Sequence, residues 1–499
     1  MQCRLVVETH STLNPMRIPL VHSTLWSLSL AVAAVSGPLR AAESAAPQFQ
    51  NADRVCFVGD SITAGGVYST YLKIFYATRY PGREIAFSNA GKSGGSAADA
   101  LNRLAWDILV NRPTAATVSF GMNDMSRLHL GLSGTPEALE QAVQERIKTV
   151  EANYNKLLDG LSAAKLTLIG PSPYDDTLQV ETKIERSNLA MARWTARLEQ
   201  IAKQRGAGFV DMGAALNPVN TRLQAADPAA SIVGKDRVHP GPAGHLLMAM
   251  AILKAQNVDP EVSRIQIDAG TGKPGPLVNC AVEELRTGAQ GVDFFCRENA
   301  LPFVLPLEGG MRGAAFWGIA EKAAAQIEAV GGPELIPFQS ELNRETLRVT
   351  GLKGGRYEVR IDEQLIGEYG AEELGAGINL ADNPKTPQHA QALALAKSLE
   401  AVRGLDSTFF RLVAHVRGSF LEPANVAIQD EAAVEQCLKE AIAKLPPDNY
   451  GRGMAERYSK SVPGQAAKKL EERERLLAQI REQNVLKPHR FRVTRTAAQ

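Results

Sequence analysis

The sequence predicts an α/β domain with a parallel sheet, followed by a small β-rich module and a helical C-terminal region. Short apolar runs alternate with helix-length amphipathic segments between residues 53 and 257, which is typical of a parallel sheet covered by helices on both faces. Gly and Pro residues separate segments of alternating polarity throughout 260–370, and this pattern indicates strands. Helical periodicity returns between 385 and 482.

Five apolar runs in the first region have the length of buried strands. They are RVCFVG (54–59), EIAFSNA (84–90), ATVSFG (116–121), KLTLIGP (165–171) and GFVDM (208–212). The segments 136–163 and 181–204 between them carry apolar residues at helical spacing. Because parallel sheets place their sites at the carboxyl ends of their strands, we expect functional side chains directly after these runs.

Length and composition indicate a soluble globular protein of several domains. A chain of 499 residues exceeds one ordinary core, and 44% hydrophobic with 22% charged residues excludes disorder over most of it. The 55 basic and 54 acidic residues leave a net charge of +1, which argues against a nucleic-acid partner. We expect an N-terminal extension at 1–42, the α/β domain at 43–257, the β-rich module at 258–375 and the helical region at 376–499.

The N-terminal extension has the layout of an export signal. Within residues 16–42, Arg17 precedes an apolar stretch at 25–35, and small residues follow. That stretch is too short to cross a membrane, so we predict a secreted or periplasmic protein without stable membrane insertion; a disordered or anchoring N-terminus is the alternative. We expect Met16 to be a better initiator than Met1. Three cleavage points stay open, after Ser36, Ala41 or Ala42.

The cysteines and the C-terminal tail give weaker indications. The five cysteines, at positions 3, 56, 280, 296 and 437, lack zinc-site spacing. After export Cys280 and Cys296 could form a disulfide, whereas Cys56 lies in an apolar run and is expected to be a buried thiol. The tail from Leu486 is basic without any acid, which is typical of a solvated end and, alternatively, of a segment that binds an anionic partner.

The first two blocks with chemical content follow the first two predicted strands. Gly59-Asp60-Ser61 places a serine at a strand-to-helix turn, where its N–H can face an anion, although the tripeptide is also a common helix cap. The block 89–95, NAGKSGG, is a glycine-rich turn that lets a backbone N–H approach a ligand. It is not a phosphate-binding loop, because Ala86 stands where that motif needs glycine. It also matches G-x-S-x-G, which makes Ser93 an alternative nucleophile.

Two further blocks supply an amide and a histidine. Gly121-Met122-Asn123-Asp124 ends the third predicted strand, and its asparagine can donate an N–H there or form an ordinary turn. Asp236-Arg237-Val238-His239-Pro240 offers a base with an orienting acceptor three residues before it, as a serine nucleophile requires. A lone histidine is more often structural, and His245 and His129 are candidates for that role.

The four blocks, in this order, resemble those of the SGNH hydrolases, also called the GDSL esterase/lipase family. The resemblance covers residues 53–257 and departs from the family name only by Ile62 in Gly-Asp-Ser-Ile. It implies a flavodoxin-like three-layer α/β/α sandwich built on a parallel sheet. It also implies that the enzyme hydrolyses carboxylic esters through an acyl-serine intermediate, with no cofactor and no metal.

The resemblance further implies a role for each matching residue. Ser61 would be the nucleophile, His239 the general base and acid, and Asp236 the group that orients His239. The oxyanion hole would combine three donors: the N–H of Ser61, the N–H of Gly94 and the side-chain amide of Asn123. Either Gly91 or Gly95 could take the place of the central glycine.

The family and the expected export together favour a carbohydrate O-acetylesterase acting on a small-molecule or polysaccharide ester. A lipid acylhydrolase or lysophospholipase is the alternative within the same chemistry. From a different class, residues 260–499 could bind a glycan beside a vestigial hydrolase domain. The oligomeric state stays open.

Overall fold

The computed structural model describes residues 45–125, 135–179, 187–234, 236–288, 290–306 and 336–496. The expected N-terminal extension at 1–42 and His129 lie outside these residues. In the described part of the chain, no helix is both long and apolar enough to cross a membrane.

A five-stranded parallel sheet forms the centre of the first domain. Its strands are β1 (Arg54–Gly59), β2 (Ala86–Gly91), β3 (Ala115–Ser119), β4 (Lys165–Ile169) and β5 (Gly208–Val210). Their order is β2-β1-β3-β4-β5, and every neighbouring pair is parallel. The predicted flavodoxin-like fold is confirmed, with a strand inside or overlapping each of the five predicted runs.

Helices cover both faces of this sheet. They are α1 (Ser61–Gly65), α2 (Val67–Arg79), α3 (Ala97–Asn102), α4 (Pro136–Gly160), α5 (Ser187–Arg205), α6 (Met212–Ala226) and α7 (Pro242–Ala255). Successive strand residues point to opposite faces, so Phe57 and Ile169 belong to one core while Val58 and Leu168 belong to the other. Because helices cover both faces of the sheet, the strands carry apolar residues on both sides and do not alternate between apolar and polar residues.

The β-rich module consists of two sheets that share one core. Its strands are β6 (Glu261–Asp268), β7 (Lys273–Pro274), β8 (Cys280–Gly288), β9 (Gly291–Glu298), β10 (Arg344–Thr350), β11 (Arg356–Ile361), β12 (Gln364–Gly370) and β13 (Ile378–Asn379), with the short helices α8 (Phe338–Leu342) and α9 (Ala371–Ala376). One sheet has the order β13-β10-β6-β7. Ile265 and Val349 of this sheet pack with Phe294 and Val359 of the other.

The C-terminal tail completes the second sheet of the module. Strand β14 (His489–Arg495) lies between β11 and β9 in the antiparallel order β12-β11-β14-β9-β8. Phe491 and Val493 are fully buried in its core. The expectation of a solvated end is therefore wrong for this segment: its period-two alternation, which is a strand signal, outweighs its positive charge.

The cysteines of the described chain are all free thiols. Cys280 and Cys296 lie on the paired strands β8 and β9, and the hydrogen bond that the Cys296 thiol donates to Cys280, together with burial, raises the pKa of Cys296. The disulfide considered for this pair is not formed. Cys56 is buried in β1 as expected, and burial raises the pKa of its thiol to about 11.

The helical C-terminal region packs against the first domain. Its helices are α10 (Pro387–Leu405), α11 (Arg411–Val416), α12 (Glu431–Lys444), α13 (Tyr450–Ser461) and α14 (Ala466–Gln483), with π-helical turns at 406–410 and 417–421. Leu395 and Leu399 of α10 belong to the same core as Leu72 and Phe75 of α2. The region is thus built onto the parallel-sheet domain.

A pair of buried carboxyl groups lies between the two sheets of the module. Glu298 accepts hydrogen bonds from Ser263 Oγ (2.5 Å) and Gln388 Nε2 (2.6 Å). Glu345 is 1% exposed, and burial followed by the negative charge of Glu298 raises its pKa well above the usual range. Folding therefore favours the protonated, neutral form of Glu345 relative to the unfolded chain.

We expect Glu345→Gln to stabilise the protein increasingly as pH rises. With its pKa raised in the folded state, Glu345 contributes stability that is fully present below the unfolded value of about 4.3 and is lost as pH increases through the folded value. Glutamine cannot ionise, so the variant avoids this loss. Thermal unfolding between pH 5 and 9 should give a melting-temperature difference, variant minus wild type, that grows with pH; a constant difference would contradict the assignment.

Candidate active site

Ser61 begins α1 directly after β1. The carboxylate of Asp60 caps this helix by accepting a hydrogen bond from the N–H of Ile62 (3.0 Å), which is the usual role of aspartate at a helix start. Ser61 Oγ lies 2.8 Å from Nε2 of His239, which is 178 positions away in the sequence. The fold thus brings the first and fourth blocks into hydrogen-bond contact.

The other ring nitrogen of His239 is bound by Asp236. Nδ1 lies 2.5 Å from Oδ2 of Asp236, and Oδ1 accepts the N–H groups of Val238 (3.1 Å) and His239 (3.0 Å). Burial opposes ionisation of Asp236, but the hydrogen bond and charge of His239 outweigh it and lower the pKa to about 2. An ionised carboxylate at Nδ1 keeps the proton there and leaves Nε2 as an acceptor for the serine hydroxyl.

The loop that carries His239 is fixed by contacts that the sequence motifs did not indicate. Arg237 is 1% exposed and donates from its guanidinium to the carbonyl oxygen of Asp175 (2.8 Å). Its backbone adopts φ +65°, a conformation that few non-glycine residues take. The N–H of Gly234 donates to the carbonyl oxygen of His239 (2.6 Å). Together these bonds hold the imidazole in place.

The three glycines of the turn after β2, Gly91, Gly94 and Gly95, differ in the hydrogen bonds that their N–H groups make. The N–H of Gly91 donates to Asn89 Oδ1 (2.8 Å), and the N–H of Gly95 donates to the carbonyl oxygen of Lys92 (2.9 Å). Gly94 adopts φ +71°, and its N–H has no acceptor among the described residues. Of the three, Gly94 is therefore the one whose donor is available to a ligand.

Asn123 lies beside this turn. Its Nδ2 donates to the carbonyl oxygen of Gly95 (2.9 Å), which orients the amide and leaves its second N–H uncommitted. The N–H of Ser61, at the start of α1, likewise has no acceptor within the described chain. The second and third blocks are thus joined by a hydrogen bond, and each of the three groups predicted for the oxyanion hole keeps one N–H that is not bonded within the described chain.

The alternative interpretations of the glycine-rich block are not supported by its contacts. Lys92 forms an ion pair with Asp99 (2.5 Å), and the hydroxyl of Ser93 has no hydrogen-bond partner among the described residues. Gly91 packs so closely on α1 that a Cβ would lie 2.2 Å from the N of Ala64. Only a glycine fits at position 91, because the turn packs directly on α1. Within the described chain Ser61, and not Ser93, forms a hydrogen bond with a histidine.

Comparison with known proteins agrees with this geometry. The model of the GDSL-like Lipase/Acylhydrolase family matches residues 57–247, a range that contains all four blocks. Residues 57–247 belong to the SGNH (GDSL) hydrolase family. An acetylxylan esterase of Geobacillus stearothermophilus is 27% identical over 217 residues, which are 40% of this chain and 93% of that protein.

A solved structure shows that the similarity extends beyond the SGNH hydrolase domain. A gut microbial diltiazem-metabolizing enzyme is 29% identical and superposes with a TM-score of 0.80, covering 91% of this chain and 99% of its own. The parallel-sheet domain, the β-rich module and the helical region therefore recur together in that enzyme.

Two buried carboxyl groups, those of Asp60 and Asp124, lie in the blocks that form the SGNH site. Burial raises the pKa of Asp60 and of Asp124 to about 6 each. Asp124 Oδ1 accepts the N–H of Ala97 (2.8 Å) at the start of α3, so the third block is tied to the helix that follows the second. In the described chain, no three His, Cys, Asp or Glu side chains are grouped so as to bind a metal ion.

The helical region reaches the SGNH catalytic segments through two arginines. Arg403 of α10 donates to the carbonyl oxygen of Gly65 at the end of α1 (2.9 Å). Arg411 of α11 donates to the carbonyl oxygens of Asn89 and Gly91 at the end of β2 (2.8 Å each). Sequence reasoning missed both residues, since they follow Ser61 by more than 340 positions and belong to no local motif.

Arg411 also completes a buried charge cluster. Both of its terminal nitrogens bind the carboxylate of Asp107 (2.7 and 2.8 Å), which Arg103 binds from the other side (2.6 Å). Burial opposes ionisation of Asp107, yet the charge of Arg411 outweighs it and keeps the pKa below its usual value. This cluster attaches α11 to the end of β2, directly before the glycine-rich turn that contains Gly94.

Proposed function

We propose that this SGNH family esterase removes O-acetyl groups from carbohydrates. The observation that carries the chemistry is the continuous contact Ser61–His239–Asp236, with distances of 2.8 and 2.5 Å. The uncommitted N–H groups beside Ser61 support the same reaction, because they can bind the negative oxygen of a tetrahedral intermediate.

In the acylation step, His239 Nε2 accepts the proton of Ser61 as the hydroxyl oxygen attacks the ester carbonyl. The carbonyl oxygen becomes an anion, which the N–H groups of Ser61 and Gly94 and the amide of Asn123 stabilise; each such donor typically contributes about 3 kcal/mol. The intermediate then collapses, the C–O bond to the alcohol breaks, and His239 gives its proton to the departing oxygen.

Deacylation repeats the sequence with water. His239 removes a proton from a water molecule, whose oxygen attacks the acetyl-serine, and the same donors bind the second oxyanion. Acetate leaves, and the proton returns to Ser61 Oγ. Asp236 stays ionised throughout because its pKa of about 2 lies far below the working pH.

The choice of an acetyl ester rests on the two relatives. One is named an acetylxylan esterase and the other a diltiazem-metabolizing enzyme. Acetylxylan and diltiazem differ in almost every respect, but both carry the acetate ester of a secondary alcohol. A carbohydrate ester also suits the export that we propose for the chain, since polysaccharide substrates lie outside the cytoplasm.

A comparison of acyl lengths tests this proposal. We expect the protein to release acetate from acetylxylan and to hydrolyse 4-nitrophenyl acetate with a kcat/KM at least about a hundredfold above that for the decanoate. Such a ratio corresponds to about 2.7 kcal/mol of discrimination. Preference for the decanoate, or for a lysophospholipid, would instead support a lipid acylhydrolase. Absence of any esterase activity together with glycan binding would support a vestigial domain.

A further inference from the structure

A small cavity lies where the helical region meets the segments that carry Ser61, Gly94 and His239. Ala64, Ser93 and Pro240 line it from the SGNH domain, and each is within three positions of Ser61, Gly94 or His239. The opposite wall comes from the helices that begin at Pro387, Arg411 and Tyr450. The cavity therefore adjoins the site of reaction and is built in part by residues outside the SGNH domain.

Two buried histidines line this cavity without hydrogen-bond partners in the described chain. His245 and His415 are each 6% exposed, and Nδ1 of each is unpaired. Burial, followed by the positive charge of Arg403, lowers the pKa of His245 to about 3, and burial followed by Lys92 lowers that of His415 to about 4. A neutral imidazole has one donor and one acceptor, which matches a hydroxyl group.

The cations around the cavity are largely neutralised. Arg403 pairs with Glu400, Arg411 with Asp107 and Lys92 with Asp99. The walls therefore offer a few hydrogen-bonding groups with little net charge among apolar side chains such as Leu412 and Met454. This favours a neutral ligand that, like a sugar, has both hydroxyl groups and apolar faces. Arg457, exposed at the edge, adds a further donor.

An exposed aromatic ring stands at the mouth. Tyr450 is 57% exposed, although aromatic side chains usually bury most of their area. Its ring packs edge-to-face on His415, with centroids 5.7 Å apart and planes at 85°. The cavity itself, about 90 Å³, holds only a few hydroxyl-sized groups, so a larger ligand must extend across this ring.

We propose that this cavity and Tyr450 form a subsite for the sugar that carries the ester, with the sugar ring stacked on Tyr450 and its hydroxyls bonded to His415 and His245. The inference rests on the proposed function, because it assigns the alcohol side of the same substrate. The helical region thus selects the sugar while the SGNH domain cleaves the acetyl group.

The test compares a substrate that contains sugar with one that does not. For Tyr450→Ala, the ratio of kcat/KM on acetylated xylotetraose to that on 4-nitrophenyl acetate should fall about tenfold, mainly through KM for the sugar ester. Tyr450→Phe keeps the ring and should retain most of the selectivity. Lys460→Ala, an exposed change on the same helix, serves as the control and should leave both activities at the wild-type level.

A second measurement separates the subsite from the acetylesterase proposal. Unacetylated xylotetraose should inhibit hydrolysis of 4-nitrophenyl acetate competitively, and its inhibition constant should rise about tenfold in Tyr450→Ala. Inhibition that is absent in the wild type, or equal in both proteins, overturns the subsite even if acetylated sugars are cleaved. Conversely, inhibition that depends on Tyr450 without acetate release from any acetylated sugar supports the subsite and overturns the proposed substrate.

Discussion

Replacing Ser61 with alanine is expected to abolish ester hydrolysis. Ser61 Oγ is the hydroxyl at 2.8 Å from His239 Nε2, and without it no acyl-serine can form. Loss of the nucleophile in a serine triad typically removes about 10⁴-fold or more of the rate. Initial rates on 4-nitrophenyl acetate measure the effect, with circular dichroism to verify that the variant is folded.

Ser93→Ala is the matched comparison, since that serine occupies the competing G-x-S-x-G motif. Its hydroxyl makes no hydrogen bond to a described residue, so we expect the variant to stay within a few fold of the wild-type rate. The reverse result, an active Ser61 variant with an inactive Ser93 variant, would move the nucleophile to the second block.

Arg411→Met should weaken both stability and catalysis. The change removes two hydrogen bonds to the carboxylate of Asp107 and one to each of the carbonyl oxygens of Asn89 and Gly91. The side chain of Arg411 is only 10% exposed. Breaking a buried pair of this kind costs about 3 kcal/mol. Those carbonyls belong to the end of β2, directly before the turn that positions the N–H of Gly94. We therefore also expect kcat to fall about tenfold. Urea unfolding and steady-state kinetics measure the two effects.

Arg417→Met provides the control for this prediction. Arg417 lies six residues further along, stacks on Trp106 at 4.4 Å and pairs with Glu422 near the surface. Partly exposed contacts of this kind contribute about 1 kcal/mol or less. Equal losses in the two variants would show that the Arg411 cluster has no special role in attaching the helical region.

The sheet and the candidate catalytic residues were predictable because their signals are local. Each strand of the SGNH domain is a short apolar run, and each block directly follows a strand or lies within one loop. From the sequence alone, the glycine that donates its N–H to the oxyanion hole could be Gly91, Gly94 or Gly95. The N–H groups of Gly91 and Gly95 are used within the turn, and only the folded backbone shows that the N–H of Gly94 is not.

The contacts contributed from distant segments were not predictable in this way. Arg237 appears in the sequence as an ordinary residue between Asp236 and His239, and its burial against Asp175 depends on the fold. Arg411 contacts Gly91 across 320 positions. The strand at 489–495 was not predicted, because the ten residues 486–495 contain four cations, a composition typical of a solvated end, and the alternation that marks a strand rests on Phe491 and Val493 alone.

Covalent labelling tests the central claim most directly. Diisopropyl fluorophosphate reacts with a serine that a neighbouring histidine activates, and peptide mass mapping then locates the adduct. We predict one adduct on Ser61 in the wild-type protein, with loss of esterase activity in proportion to labelling, and none in His239→Ala. An adduct on Ser93, or full activity after Ser61 is modified, would contradict the account.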